Sequence, residues 1–303
     1  MTDSTYLCSG TAWDEEGAFL RLEQPGGGRV TLRLAPGTEL RFRNRSESAR
    51  YCLGYELVRD EGRTSRPCPD GAAAERGYQC KRCFFHDEGR LVHNSHRGGE
   101  LPQGLRSYLA RPQWLYIATF ADGTTKVGTA ADRRKVLRLT EQGALAAQYV
   151  ARAPNGVQVR VLEDEISAAL SLPQGVRAAN KCAALAAALP DDKLRAINAE
   201  RAGAARTVLF DREPDGFEVV KETWMRPGAF EAVLAERGAV MYPLPLSTGA
   251  HGLIIRGMLG STALAATDDA GLSFLVDLSV LKGQKIGFGA FRSDLPAVQQ
   301  PLF

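Results

Sequence analysis

Long apolar runs are missing from this chain of 303 residues. The most apolar stretches, such as Ala183 to Leu189, fall well short of the ~20 residues that a membrane-crossing helix needs, so a spanning helix is excluded. The opening MTDSTYLCSG has no basic start followed by an apolar core, and the expected location is therefore the cytoplasm, with no membrane partner. Charge of one sign is also lacking: 38 Lys+Arg stand against 35 Asp+Glu. A net charge of +3 is no more than solubility requires, so bulk charge does not point to a polyanion. No periodic repeat and no long low-complexity tract appears, and no dinucleotide fingerprint stands between a strand and a helix.

What is there is an ordinary globular composition, 44% hydrophobic and 24% charged, in a chain long enough for two domains or one large one. Residues 46–100 are the exception, being poor in aliphatic side chains and rich in Cys, His, Arg and Gly. Such a segment cannot close a large apolar core of its own. Four of the six cysteines fall in it, Cys52, Cys68, Cys80 and Cys83, the last two as a CxxC knuckle. In a cytosolic chain that clustering favours a metal over disulfides. Four thiolates suit a structural zinc, whose binding supplies the folding free energy the segment lacks. His86, His93 and His96 follow closely, and replacement of one cysteine ligand by a histidine stays open.

Period-two alternation in TYLCSGTAW, AFLRLEQ, VTLRLA and ELRFR marks residues 1–45 as an antiparallel meander broken by Glu16-Gly17, Pro25 to Gly28 and Pro36-Gly37. Residues 206–303 read as a second β-rich region, with strands near Thr207 to Phe210 and Phe217 to Val220 and a Gly-rich end resembling a small barrel or sandwich. Between them, residues 110–205 hold the unit around which the rest is arranged. Two strands, Leu115 to Phe120 and Thr124 to Thr129, meet at an Asp122-Gly123 hairpin turn. A basic helix, Ala131 to Ala151, comes next and is interrupted at Gln142-Gly143-Ala144. A strand from Val157 to Val161 then leads to a helix whose first turn carries Glu163 and Glu165. Ala-rich helices from Gln174 to Ala205 complete the segment, broken at Pro190, with an aspartate before Lys193 as N-cap. The expected class is α+β.

Charge is concentrated where this unit lies. Between Arg106 and Arg152 there are eight basic residues and three acidic ones, a local excess of +5. Arg133, Arg134 and Lys135 are the candidate contacts to nucleic acid, DNA or RNA, and Arg134 and Arg138, four apart, share a helix face.

Tyr116, the Lys126-Val127-Gly128 strand, Arg138 and Glu163 succeed one another at a spacing that resembles the GIY-YIG nuclease fold, in its branch with a KIG or KVG second motif. Over its whole length the chain is also similar to domain-of-unknown-function family 2797. The shared features are Cys52-Leu-Gly54-Tyr, Cys80 and Cys83, Lys126-Val-Gly128, Arg138 with Gln142-Gly143-Ala144, Arg256-Gly257 and Gly260-Ser261. That family carries over no activity. The nuclease resemblance implies a GIY-YIG-like α/β core with an upstream zinc-binding segment and flanking antiparallel β regions. It implies Tyr116, Lys126, Arg138 and Glu163 as catalytic residues, with Glu163 holding magnesium or manganese while Arg138 steadies a phosphate. Lys126 stands where a second tyrosine is usual, and Glu141 and Gln142 where a histidine is often found. Two functions are the resulting expectations: a metal-dependent endonuclease, and a zinc-containing DNA- or RNA-binding module that keeps the fold without the chemistry.

Overall fold

The computed structural model describes residues 4–59, 62–94, 103–211, 216–236, 238–268 and 272–295. In chain order the strands are β1 (Thr5–Asp14), β2 (Gly17–Glu23), β3 (Arg29–Arg33), β4 (Glu39–Asn44), β5 (Tyr55–Arg59), β6 (Gly62–Arg66), β7 (Gln113–Thr119), β8 (Thr125–Ala131), β9 (Ala146–Ala153), β10 (Glu218–Thr223), β11 (Val240–Met241), β12 (Ala250–Leu259), β13 (Thr262–Ala266), β14 (Phe274–Asp277) and β15 (Lys285–Phe288). The helices are α1 (Lys81–His86), α2 (Gly89–Asn94), α3 (Gln103–Leu109), α4 (Lys135–Gln142), α5 (Gly156–Leu170), α6 (Ala178–Ala184), α7 (Asp191–Phe210) and α8 (Glu231–Ala235). The class is mixed α+β. Among the described residues no helix is long and apolar enough to cross a membrane.

Two units divide the chain, one made of Met1–Tyr51 with Ala229–Phe303, the other of Cys52–Gly228. In the first, the two terminal segments expected as separate β regions share one nine-stranded sheet, ordered β11-β14-β13-β12-β4-β15-β1-β2-β3. Leu34, Leu40 and Phe42 point into its core. On the opposite face Arg33 is held by Asp14 and Arg41 by Asp268 and Glu39, while Arg43 lies over the Phe291 ring.

The second unit carries the β5–β6 hairpin and an antiparallel sheet ordered β10-β9-β7-β8. The expected hairpin of β7 and β8 is present, with Gly123 at φ 84° in its turn. β7 is buried at every position because it is paired on both sides. α5 and α7 pack on this sheet around Leu115, Ile117, Val127, Val150, Val159, Leu162, Ile166, Ala202, Ala205 and Leu209.

Four expectations for this unit are corrected. The helix Ala131 to Ala151 is a single 3-10 turn and α4, stopped by Gly143 in the left-handed conformation at φ 67°. Beyond that stop the chain enters β9 in place of a second helical piece. Its Ala-rich sequence hid it, because a strand buried on both faces loses the period-two signal. Val157 to Val161 is not a strand but the start of α5. The Asn155 side chain accepts the Gln158 N–H, and the buried positions Val159, Leu162, Glu163 and Ile166 keep the helical period. Glu163 therefore sits inside the helix rather than in its first turn. Thr207 to Phe210 is the last turn of α7, where Leu209 extends the buried stripe Leu194, Asn198, Ala202, Ala205. At the start of α7 the N-cap is Pro190, not an aspartate; Asp191 instead pairs with Arg195 and Arg226.

Candidate functional site

Two arrangements of functional side chains stand out in the second unit. The first is the cysteine cluster. Cys52 precedes β5, Cys68 comes after β6, and Cys80 and Cys83 open α1, so the hairpin folds the four positions together. Their sulfur atoms all lie within 4.8 Å of one another, and three of the four residues are buried. Gly54, at φ 81°, makes this possible, since a Cβ there would come within 1.8 Å of the Arg66 carbonyl oxygen. Burial pushes the Cys52 thiol up to about 11, and Cys83 also rises, first through burial and then through its thiol neighbours. Four convergent sulfur donors at this spacing could hold one metal ion in a closed tetrahedral set. His86 lies outside the cluster, its ring 5.6 Å from that of Tyr55. The His93 side chain and His96 are beyond the described residues.

The second arrangement surrounds Tyr116 in the middle of β7. Its ring lies across Gly128 on β8, the residue directly opposite. The Gln142 amide at the end of α4 donates to its hydroxyl at 2.9 Å. Burial raises the phenol above its usual range, and Arg138 and the Gln142 hydrogen bond offset part of that rise. Lys126, also on β8, is 5% exposed, with its Nζ 5.7 Å from the centre of the Tyr116 ring and donating to the Gln174 carbonyl at 3.0 Å. Desolvation lowers its amine to about 8; Arg138 and Arg160 push the same way and Glu163 opposes them. Glu163, 3% exposed, accepts from the Arg160 guanidinium one turn earlier on α5, and burial still raises its carboxyl above the usual range. The structure thus brings Tyr116, Lys126, Arg138 and Glu163 into one electrostatic neighbourhood.

Three members of that neighbourhood escaped the sequence reading. Arg160 is visible as a partner of Glu163 only once residues 157–161 are known to be helical. Gln142 stood out as a departure from the nuclease pattern, not as the partner of Tyr116. Lys181, a lone cation in the Ala-rich α6, donates to the Gln142 carbonyl at 2.9 Å, and its Nζ lies 4.3 Å from the centre of the Phe120 ring. Burial, then Lys126 and Arg138, lower its amine to about 7. No local sequence signal links it to Gln142.

Beside this cluster opens a cleft of about 340 Å³ lined by Arg63, Arg133, Arg134, Arg138 and Arg160, together with Tyr108 and small or apolar residues. No described carboxylate lines it. Arg63 pairs with Glu56, and Arg134 makes a two-point contact with Glu141 at 2.8 Å; neither carboxylate is among the residues that line the cleft. Of the three expected nucleic-acid contacts, Arg133 and Arg134 line the cleft. Lys135 does not; it is drawn to Glu222 and sits 3.7 Å over the Trp114 ring.

The divalent ion expected at Glu163 does not suit this arrangement. Its carboxylate is buried and already neutralised by Arg160, and among the described residues the four cysteines are the group of His, Cys, Asp or Glu donors placed to share one ion. Magnesium needs an accessible oxygen ligand, with waters completing its shell. No protein-family model, no curated protein and no solved structure matches this chain.

Proposed function

We propose that this protein is a nucleic-acid-binding module, built on a GIY-YIG-like core and clipped by a structural zinc ion at Cys52, Cys68, Cys80 and Cys83. The observation that carries the reading is the cleft of five arginines without a described carboxylate. Guanidinium groups bind phosphate oxygens in pairs, keep their charge at every physiological pH, and cost little to desolvate compared with ammonium groups. The order of hairpin, helix, strand and helix around Tyr116 supports the core assignment, and soft thiolate donors in a closed set of four support zinc.

Fluorescence anisotropy with labelled DNA and RNA, without added magnesium, tests the reading. Affinity is expected to fall steeply with salt, and Arg138→Ala to reduce the slope of log K against log salt by about 0.7–0.9, the share of one phosphate contact. Binding that is absent at low salt, or that ignores Arg138→Ala, refutes it.

Phosphodiester hydrolysis is a second reading, favoured by the convergence of Tyr116, Lys126, Arg138 and Glu163. It requires Glu163 to exchange its Arg160 partner for a divalent ion, and predicts strand scission with magnesium or manganese that is lost in Glu163→Gln and Tyr116→Phe. Scission that survives both substitutions, or none at high protein concentration, excludes it.

A further inference from the structure

We propose that the outward face of α1 is a stacking platform for an unpaired base of single-stranded nucleic acid, with Phe85 as the ring on which the base lies. The inference rests on the nucleic-acid reading above but uses a surface separate from the residues that line the arginine cleft.

Phe85 is 64% exposed, although a phenylalanine of an ordinary packing layer would be turned inward. The CxxC knuckle explains the orientation. Cys80 and Cys83 must face the other thiols, which leaves Lys81, Arg82, Phe85 and His86 on the solvent side of the short helix. Phe85 is not loose on that surface. The Phe84 ring meets it edge to face, with centroids 5.9 Å apart, and Phe84 is itself engaged by the guanidiniums of Arg76 at 5.0 Å and Arg90 at 4.8 Å. The result is a supported aromatic face with Arg76, Lys81, Arg82 and Arg90 around it.

Of the carboxylates nearby, Asp87 accepts the Glu56 N–H and Glu88 accepts the Val58 N–H and pairs with Arg59, while Asp70 pairs with Arg82 and Glu75 accepts the Lys81 N–H, so the positive excess at the platform rests on Arg76, Lys81 and Arg90. A ring of cations about an exposed aromatic side chain complements one kind of ligand best: a flat apolar π-face joined to phosphates. Unpaired bases offer that face, whereas bases stacked inside a duplex do not. An apolar protein partner would gain nothing from Arg76, Lys81 and Arg90, and a second copy of this chain would bring like charges together.

The test compares wild type, Phe85→Ala and Phe85→Trp for anisotropy with labelled oligo(dT) and with a duplex of equal length. Zinc content and circular dichroism are measured alongside, to show that each variant is folded. Phe85→Ala is expected to weaken oligo(dT) binding roughly 5- to 150-fold, the range found for loss of one stacking ring. Phe85→Trp retains the affinity, and duplex binding is unchanged in both. Equal oligo(dT) affinity in wild type and Phe85→Ala overturns the platform while leaving the arginine cleft untouched. Failure of wild type to bind either nucleic acid removes the proposed function and the platform together. If Phe85→Ala alters self-association in sedimentation but not oligo(dT) binding, the face is a contact between copies and the proposal is wrong.

Discussion

Replacing Gly128 by alanine is expected to dislodge Tyr116 and destabilise the Cys52–Gly228 unit. Gly128 is extended, not left-handed, so backbone strain plays no part in the argument. Space does. A Cβ at Gly128 would lie 2.5 Å from the Tyr116 Oη, 2.6 Å from Cζ and 2.9 Å from Cε2. Carbon atoms in contact prefer roughly 3.5–4.0 Å, so the overlap is about 1 Å along one side of the ring. Tyr116 has nowhere to move, being fully buried in a strand paired on both sides. Overpacking of this kind costs about 1–3 kcal/mol. Displacement of the hydroxyl from Gln142 adds about 1 kcal/mol for the lost hydrogen bond. In a unit of this size the steric part alone corresponds to a Tm lower by about 2–12 °C. Urea titration measures the loss, and hydrogen exchange at the β7 and β8 amides locates it. Tyr116→Leu in the Gly128→Ala background removes the overlapping atoms and is expected to recover part of the stability, giving a coupling free energy of at least about 1 kcal/mol. A Gly128→Ala protein as stable as wild type, with no coupling to position 116, would refute the argument.

Two other perturbations test the electrostatics and the proposed metal clip. The Lys126 amine is held at about 8 in the fold against roughly 10.4 in an unfolded chain, so between those values the folded state binds fewer protons. Its burial penalty is therefore complete below pH 8 and fades as pH rises towards 10. Lys126→Met should exceed wild type in stability at pH 7, by on the order of 2–4 kcal/mol, with the gap closing by pH 10. The difference between the two proteins is the quantity to track, because Cys8, raised to about 11 by burial, acts in the opposite direction on both; a gap independent of pH contradicts the assignment. Cys83→Ser is expected to abolish zinc binding, measured by elemental analysis, and to open residues 52–92 to proteolysis. Full zinc occupancy in that variant would show that the ligands are different ones.

The parts of the molecule that were legible beforehand are those governed by local chemistry. Cys80-Lys-Arg-Cys83, with two further cysteines in an aliphatic-poor segment, pointed to the cysteine cluster, because few other side chains of that segment could be buried together. Asp122-Gly123 determined the β7–β8 hairpin, and alternation determined the N-terminal strands, of which β1, β2 and β3 form the expected meander whereas β4 leaves it to pair with β12 and β15. Central β9 was not legible, since Ala146 to Ala153 reads as helix until pairing with β7 and β10 is known. Val157 to Val161 misled in the other direction, the Asn155 cap and the helical burial of Val159 and Leu162 outweighing the β preference of three valines.

Tertiary structure alone decided three things: that the terminal segments share a sheet, that Arg63 reaches the same cleft as Arg138 and Arg160, and that Glu163 faces a guanidinium. Each depends on residues far apart in sequence, or on an element misread, being brought within a few ångströms. Composition and periodicity carry no information about such distances, and the charge of the site is set by them.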